Sequence, residues 1–423
     1  MHAEGERPRL RPLLWAAAAA IVLRLVFGIG YWVGKPLTHD EREYLELAAS
    51  LSAGRGFTYG TPADGDPVER FGRAPVYPLF LAVVTSAAGA VRVPDLTAIR
   101  IVQSLLGGAT VLLLAMVARQ AAGDRAGVIA AWGSALYPPL IWIPAYVFSE
   151  VLYLPLALAN VLLVDRLALA ADRGQRTARL AFACGALAGL CALTRPGHVL
   201  FALLLASYLA VRRHWSAFAA LAAGTAIVIA PWTARNYAEY GRMVFIASEG
   251  GITFWTGNHP RAIGEGDLAA NPEIKRDNLR LRAEHPGWTP EELESVYYRE
   301  ALASIAADPL RWLTLLPRKV FYLFVPAGPS YTLHSARYLA ASVASWALLL
   351  PAAIAGLVVL GRSGRRPRGV LLLAASAVAA ALVFFPQERF RLSGLDPAAL
   401  VLGAGALALA TAPRRSPAPL TAA

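Results

Sequence analysis

Twelve apolar runs, separated by short turns that carry arginines, leave this chain few folds to choose from. They fall at about 13–34, 75–91, 99–118, 126–146, 149–167, 179–194, 197–211, 215–233, 311–326, 337–360, 369–385 and 395–411. A 423-residue chain that is 57% hydrophobic and 16% charged, with mean hydropathy +0.47, has more apolar surface than a water-soluble core can hide. In lipid every backbone polar group must be satisfied within the chain, so spanning segments are helices or closed barrels. Runs of this length suit helices. The expected fold class is an all-α polytopic membrane protein. The first run, about 20 residues, is too long for the core of a signal peptide, and no small-residue cleavage site follows it, so it reads as a helix.

The net charge of +12 does not form a nucleic-acid stripe. The basic residues sit in turns: Arg7, Arg9 and Arg11; Arg119 and Arg125; Arg166, Arg173, Arg176 and Arg179; Arg212 and Arg213; Arg362, Arg365, Arg366 and Arg368; Arg414 and Arg415. Cytoplasmic loops carry such an excess, and all six clusters reach one side only if 75–91 and 311–326 do not cross. Pro75 and Pro78 suit a surface or re-entrant helix at 75–91. The expectation is about ten crossings, both termini cytoplasmic, with juxtamembrane helices and a small helical and loop segment outside. It divides the chain into an N-terminal transmembrane module at 1–233 with a first outer loop at 35–98, an extracytoplasmic region at 234–336, and C-terminal transmembrane helices at 337–423. Within the middle region Thr289-Pro290-Glu291-Glu292 opens a helix of about 290–307, which Asp308-Pro309 ends.

Two cysteines, Cys184 and Cys191, lie seven apart on one predicted helix, roughly 10 Å along its axis. That is too far for a disulfide, and both read as small apolar fillers. Arg24 falls near the middle of the first run. An intramembrane arginine is a candidate for function, or a partner for backbone carbonyls.

The outer face collects the residues that could carry chemistry. Asp40 and Glu41 follow the first crossing; Glu150 opens the fourth; Arg195 ends the fifth; Arg235 follows Pro231-Trp232; Glu388, Arg389 and Arg391 lie before the last. Arginine grips phosphate through paired, charge-assisted hydrogen bonds. A carboxylate can take a proton from an attacking hydroxyl or amine. Asp40, Glu41 and Glu150 could also hold a divalent ion with oxygen ligands, although no spacing requires one.

Asp40-Glu41-x-x-Tyr44 and Arg73-Ala74-Pro75-Val76-Tyr77-Pro78-Leu79 resemble the first outer loop of the C-type glycosyltransferases, in the group of protein O-mannosyltransferases and lipid A aminoarabinose transferases. Five further motifs follow in the family's order: Ser149-Glu150-Val151-Leu152, Leu193-Thr194-Arg195-Pro196, Pro231-Trp232-Thr233-Ala234-Arg235-Asn236-Tyr237, Thr256-Gly257-Asn258-His259-Pro260 and Arg389-Phe390-Arg391-Leu392. The resemblance runs over about residues 13–400. Arg73-Ala74-Pro75 stands where members often have Arg/Lys-Pro-Pro, and Phe148-Ser149-Glu150 where many have Leu-Pro-Asp.

The resemblance implies an inverting hexosyl- or pentosyltransferase in the cell envelope. Its donor would be a polyprenyl-phosphate sugar, its acceptor a lipid, glycan or protein, and its site the outer face of the cytoplasmic membrane. It implies Asp40 as the base, with Glu41 or Glu150 orienting acceptor or sugar. Arg389 and Arg391 would grip the lipid phosphate, with Arg73, Arg195 and Lys319 in support. Plainer roles remain open at this point. Asp40 suits a helix N-terminus; Arg389 and Arg391 suit interfacial anchors; Arg195 before Pro196 suits broken-helix carbonyls. A transporter or flippase of a lipid-linked saccharide would collect the same residue types. Such proteins often show inverted repeats and polar residues at midplane; here no repeat is visible and the polar residues favour one face.

Overall fold

The computed structural model describes residues 10–59, 72–330 and 335–411. Arg7, Arg9, Arg414 and Arg415 lie outside them. Among the described residues all regular structure is helical. Helix α1 (Leu10–Leu25) continues as a π-helical turn to Tyr31. Two helices follow, α2 (His39–Ser52) and α3 (Val76–Ala90). The bundle then adds α4 (Asp95–Ala122), α5 (Asp124–Leu136), α6 (Pro138–Trp142), α7 (Glu150–Asp172), α8 (Ala178–Thr194), α9 (Val199–Val211) and α10 (Trp215–Tyr240). Four helices fill the next segment: α11 (Gly250–Asn258), α12 (Pro272–Ala283), α13 (Pro290–Ala307) and α14 (Pro309–Phe324). The chain closes with α15 (Ala336–Arg362), α16 (Arg368–Val383), α17 (Glu388–Leu392) and α18 (Leu395–Ala410).

This is an integral membrane protein. Among the described residues five helices are long and apolar enough to cross a bilayer: Leu10–Tyr31, Asp95–Ala122, Glu150–Asp172, Trp215–Tyr240 and Ala336–Arg362. Asp124–Leu136 with Pro138–Ala145 makes a sixth, bent by 63°. By length alone, five or six of the expected crossings qualify among the described residues. The remaining four expected crossings are apolar helices of 17 residues or fewer, at Ala178–Thr194, Pro196–Val211, Arg368–Val383 and Leu395–Ala410. A straight span needs about 20 residues. Pro196 and Pro367 cut these elements short.

The two ends of the bundle differ chemically. Helix α7 runs about 35 Å from Glu150 to Asp172. At the far end Asp172 pairs with Arg212 at 3.5 Å and Arg368 at 2.6 Å, Arg119 pairs with Asp124, and Arg125 donates to the Thr411 carbonyl at 2.7 Å. The arginine turns therefore share one end. The N-termini of α2 and α7, the C-terminus of α8 and all of α17 share the other.

Close packing comes from small residues. Gly185 and Gly189 on α8 meet Leu221, Thr225 and Val228 of α10, and Gly224 on α10 meets Phe182 and Ala186; a Cβ at Gly185 would sit 2.1 Å from the Leu221 carbonyl oxygen. Arg24 has a structural explanation. Pro138 and Pro139 have no N–H to offer the carbonyls of Ser134 and Ala135 four residues earlier. Arg24 donates to both, at 3.3 and 3.5 Å, and to the Ala20 carbonyl at 3.0 Å. Gly107 leaves the room, since a Cβ there would lie 2.5 Å from Arg24 Cδ.

Helix α2 begins with a complete capping box: the Thr38 side chain accepts from the Glu41 N–H, and the Glu41 carboxylate accepts from the Thr38 N–H. Its inward face carries Tyr44 and Ala48, which pack with Tyr77 and Leu81 of α3, Ile99 of α4, and Val147. That seam holds α2 and α3 across the end of the bundle opposite the arginine turns.

Candidate active site

Asp40 occupies the first turn of α2, a quarter exposed, between two guanidiniums. Its Oδ1 is 2.8 Å from Arg73 and its Oδ2 is 2.6 Å from Arg389. Burial pushes its pKa up, but Arg389 and then Arg73 outweigh this and hold the carboxyl well below the usual range. Arg389 continues to Glu150 at 2.9 Å, and Glu150 to Arg195 at 2.8 Å. On the other side Arg73 pairs with Glu43 and, at 3.1 Å, with Glu249. One chain of ion pairs thus runs from Glu249 through Arg73, Asp40 and Arg389 to Glu150 and Arg195. It joins α2, the segment before α3, the start of α7, the end of α8, the start of α11 and α17.

Local sequence explains each placement. Tyr44, one turn after Asp40, lies under Arg73 at 5.2 Å and donates to Ser149 Oγ at 3.2 Å. Arg195 donates to the same Ser149 Oγ at 3.1 Å. Phe148 stacks under Arg389 at 4.5 Å, and Phe390 lies 5.8 Å from both Arg195 and Arg389. Trp232, Thr233 and Asn236 on one face of α10 donate to the carbonyls of Ile246, Phe245 and Val244 at 2.7, 2.9 and 2.9 Å. These bonds carry the chain to Glu249. Asn258 donates to the Val383 carbonyl at 2.9 Å, and Gly257 lies where a Cβ would meet the Phe384 carbonyl oxygen at 2.0 Å. This fixes the end of α16, and with it Arg389.

Not every expected residue joins the chain. The Glu41 carboxylate is occupied by Thr38, at 2.8 and 2.9 Å, and by the Val147 N–H at 2.9 Å. It ties α2 to the segment before α7. Arg391 is fully buried, 2.7 Å from Asp396 and 4.0 Å above the Trp346 ring. Asp396 also accepts from Tyr137 at 2.8 Å. Lys319 is fully buried, donating to Asn258 Oδ1 at 3.1 Å and the Leu382 carbonyl at 2.9 Å, and burial lowers its pKa to about 7. It braces α14 against α11 and α16. Arg235 lies over Trp232 and Tyr240, at 5.2 and 5.4 Å.

The site also holds two acids beyond those expected from the sequence, Glu43 and Glu249. Glu43 is one helical step from Asp40, on the same face, and that spacing was visible. Glu249 lies 176 residues from Arg73 with no local signal. A metal does not suit Asp40, Glu41 and Glu150 as they stand. Their oxygens face arginines, Thr38 and Val147, and no group of three His, Cys, Asp or Glu side chains among the described residues is gathered for one.

Solved structures share this architecture. AglB, the archaeal oligosaccharyltransferase of Archaeoglobus fulgidus, solved with an inhibitory peptide and a dolichol-phosphate, matches 95% of this chain with TM-score 0.57 and 16% identity. The chain has the fold of the C-type glycosyltransferases. It spans 50% of AglB's length. A second structure of the A. fulgidus oligosaccharyltransferase, with Zn and sulfate, matches 94% of the chain and 49% of its own, with TM-score 0.56 and 14% identity. ArnT from Cupriavidus metallidurans, bound to undecaprenyl phosphate, aligns over 93% of this chain and 78% of its own at 15% identity, with TM-score 0.43. No family model and no curated protein matches the sequence. Within the C-type fold the ion-pair chain occupies the bundle end away from the arginine turns.

Proposed function

We propose that this protein is an inverting glycosyltransferase. It moves a sugar from a polyprenyl-phosphate donor to a lipid, glycan or protein acceptor, at the outer face of the cytoplasmic membrane. The observation that carries this reading is Asp40 lying within hydrogen-bond reach of both Arg73 and Arg389. A base and two phosphate-binding groups meet at one point, on the C-type fold, at the end opposite the arginine turns. With those turns cytoplasmic, the ten apolar helical segments cross, α2 and α3 lie on the outer surface, and both termini are inside.

In this mechanism the donor phosphate takes Arg389 and Arg73, with Arg195 beside them. Arginine paired to phosphate is no longer free to hold Asp40, so donor binding restores the basicity that the ion pairs suppress. The acceptor O–H or N–H then attacks the anomeric carbon on the face away from the phosphate. Asp40 takes the proton. The bond from C1 to the phosphate oxygen breaks, and the phosphate leaves with the electron pair. The guanidiniums stabilise the charge that develops on it, and the configuration at C1 inverts. Glu150 holds Arg389 in place, and Ser149 positions Arg195.

Full-length protein in proteoliposomes, given radiolabelled polyprenyl-phosphate sugars and a mixed acceptor extract, tests the reading. Transfer by wild type and its loss in Asp40→Asn are expected. Equal transfer by both would remove Asp40 as base. The orientation is tested by Arg92→Cys at the α3–α4 turn, which an impermeant thiol reagent labels from outside; labelling only from inside would overturn it.

A further inference from the structure

Asp40 is the joint of the ion-pair chain. Glu43, Glu249 and Arg73 lie on one side of it, and Arg389, Glu150 and Arg195 on the other. When a phosphate takes Arg73 and Arg389, that joint opens. A second connection bypasses it. The Tyr44 ring lies 5.2 Å under the Arg73 guanidinium, and its hydroxyl donates to Ser149 Oγ at 3.2 Å. Arg195 donates to the same oxygen at 3.1 Å. A serine oxygen has two lone pairs, and these two bonds use both.

The bridge has little freedom to move. Tyr44 is 8% exposed and Ser149 is 1% exposed. Tyr77 meets the Tyr44 ring edge-on, at 4.9 Å and 87°. The Tyr77 hydroxyl donates to Gln103 Oε1 at 2.6 Å. The Gln103 amide donates to the carbonyls of Pro144 and Tyr146, at 2.9 and 2.7 Å. Those carbonyls belong to the segment that carries Ser149. The contacts therefore close a loop, from Ser149 through Tyr44, Tyr77 and Gln103 back to the same segment. Ser149 stands where many C-type glycosyltransferases have proline, and a proline offers no hydroxyl to either partner.

We propose that Tyr44 and Ser149 are positioning residues: they fix Arg73 and Arg195 relative to each other, so that the guanidiniums keep their spacing around the donor phosphate once Asp40 is released to act as base. This rests on the glycosyltransferase reading and deepens it, because phosphate geometry then depends on two side chains outside the ion-pair chain. Arginine–phosphate hydrogen bonds are directional, and a misplacement of about 1 Å can cost about 100-fold in rate.

The test measures affinity for undecaprenyl phosphate with the full chain in nanodiscs, beside thermal melts. Wild type is expected to bind it. Tyr44→Phe keeps the ring under Arg73 and against Tyr77 but gives up the bond to Ser149. It should weaken binding about 2- to 10-fold, the range for one hydrogen bond, with the melting temperature retained. Ser149→Ala, which also releases Arg195, should weaken binding at least as much. The double variant should match Ser149→Ala, because both changes cut one bridge. Ser149→Thr, which keeps the hydroxyl, should bind close to wild type. A pair that only supports the fold would lower the melting temperature and leave the affinity of the folded protein unchanged, and that result overturns the proposal. A double variant whose loss is the product of the two single losses overturns it as well. A wild type that does not bind undecaprenyl phosphate would instead refute the glycosyltransferase reading, and the proposal with it.

Discussion

Arg389 and Arg391 stand two residues apart in one short helix, yet they belong to different kinds of place. Arg391 is 1% exposed, paired with a single acid five residues on and pressed against Trp346. Arg389 is 29% exposed and shared between Asp40, 349 residues away, and Glu150. The first pair is closed: its acid is equally buried and is also bonded to Tyr137. The second is open and contested, with carboxylates from two elements around one cation. A closed pair gives a helix its position. An open one can exchange a carboxylate for a phosphate without unfolding anything. Residue type and local sequence are the same in both, so what separates them is how many elements share the charge and whether a ligand can reach it.

The sharpest way to break this contrast is to neutralise one acid in each place. Asp40→Asn is expected to cut transfer roughly 10³-fold, the scale of a lost general base, with expression and melting temperature retained. Asp396→Asn is expected to lower the melting temperature, leaving Arg391 buried beside a neutral partner, while surviving folded protein still transfers. Kinetics and thermal melts on the same preparations check both. Similar profiles for the two variants would erase the distinction.

The arginines themselves give the next largest effect. Arg391→Ala strands Asp396 in the interior, which costs about 3–5 kcal/mol of stability. Arg389→Ala removes a donor to phosphate, worth about 1.5–3 kcal/mol. That appears as a donor KM raised about 10- to 100-fold, with less change in acceptor KM. Glycosyl-transfer assays at varied donor, beside chemical or thermal unfolding, separate the two outcomes. A donor effect for Arg391→Ala equal to that of Arg389→Ala would move the phosphate site to include both.

Much of the frame was legible in the sequence, because lipid leaves apolar runs one way to satisfy their backbones. The run at 99–118 lies inside Asp95–Ala122, and 337–360 inside Ala336–Arg362. The acids and arginines of the site were visible as types near the ends of those runs. Their partners were not. Nothing local tells Arg389 from Arg391, since which way each points depends on Phe148, Trp346 and Asp396, all supplied by other helices. Glu41 read as a residue that could orient acceptor or sugar beside Asp40, and only the Val147 N–H, 106 residues on, shows what its carboxylate holds. Glu249 reaches Arg73 through a loop pinned by Trp232, Thr233 and Asn236, a route no spacing rule reports.

The smallest expected effect tests whether the open region is contested in the sense argued. Four carboxylates, Asp40, Glu43, Glu150 and Glu249, face three guanidiniums, Arg73, Arg195 and Arg389, which leaves one negative charge in excess. An anionic donor enters more readily if one acid yields. Glu249 is placed to yield, being 32% exposed and joined to the rest by Arg73 alone. Burial raises its pKa to about 7; Arg73 opposes this, and Glu43 and Asp40 add to it. As pH falls through 7, Glu249 takes up a proton, its hold on Arg73 weakens and the excess charge disappears. Donor affinity should therefore rise as pH drops from about 8 to about 6, around that pKa. Glu249→Gln should bind donor about 2- to 5-fold tighter at pH 8, the range for a partly exposed ion pair, and should flatten the pH dependence. Donor titrations at pH 6, 7 and 8 on both proteins decide it. Weaker binding in Glu249→Gln would mean that Glu249 holds Arg73 ready for the phosphate rather than competing with it, and the open region would then be as pre-set as the closed one.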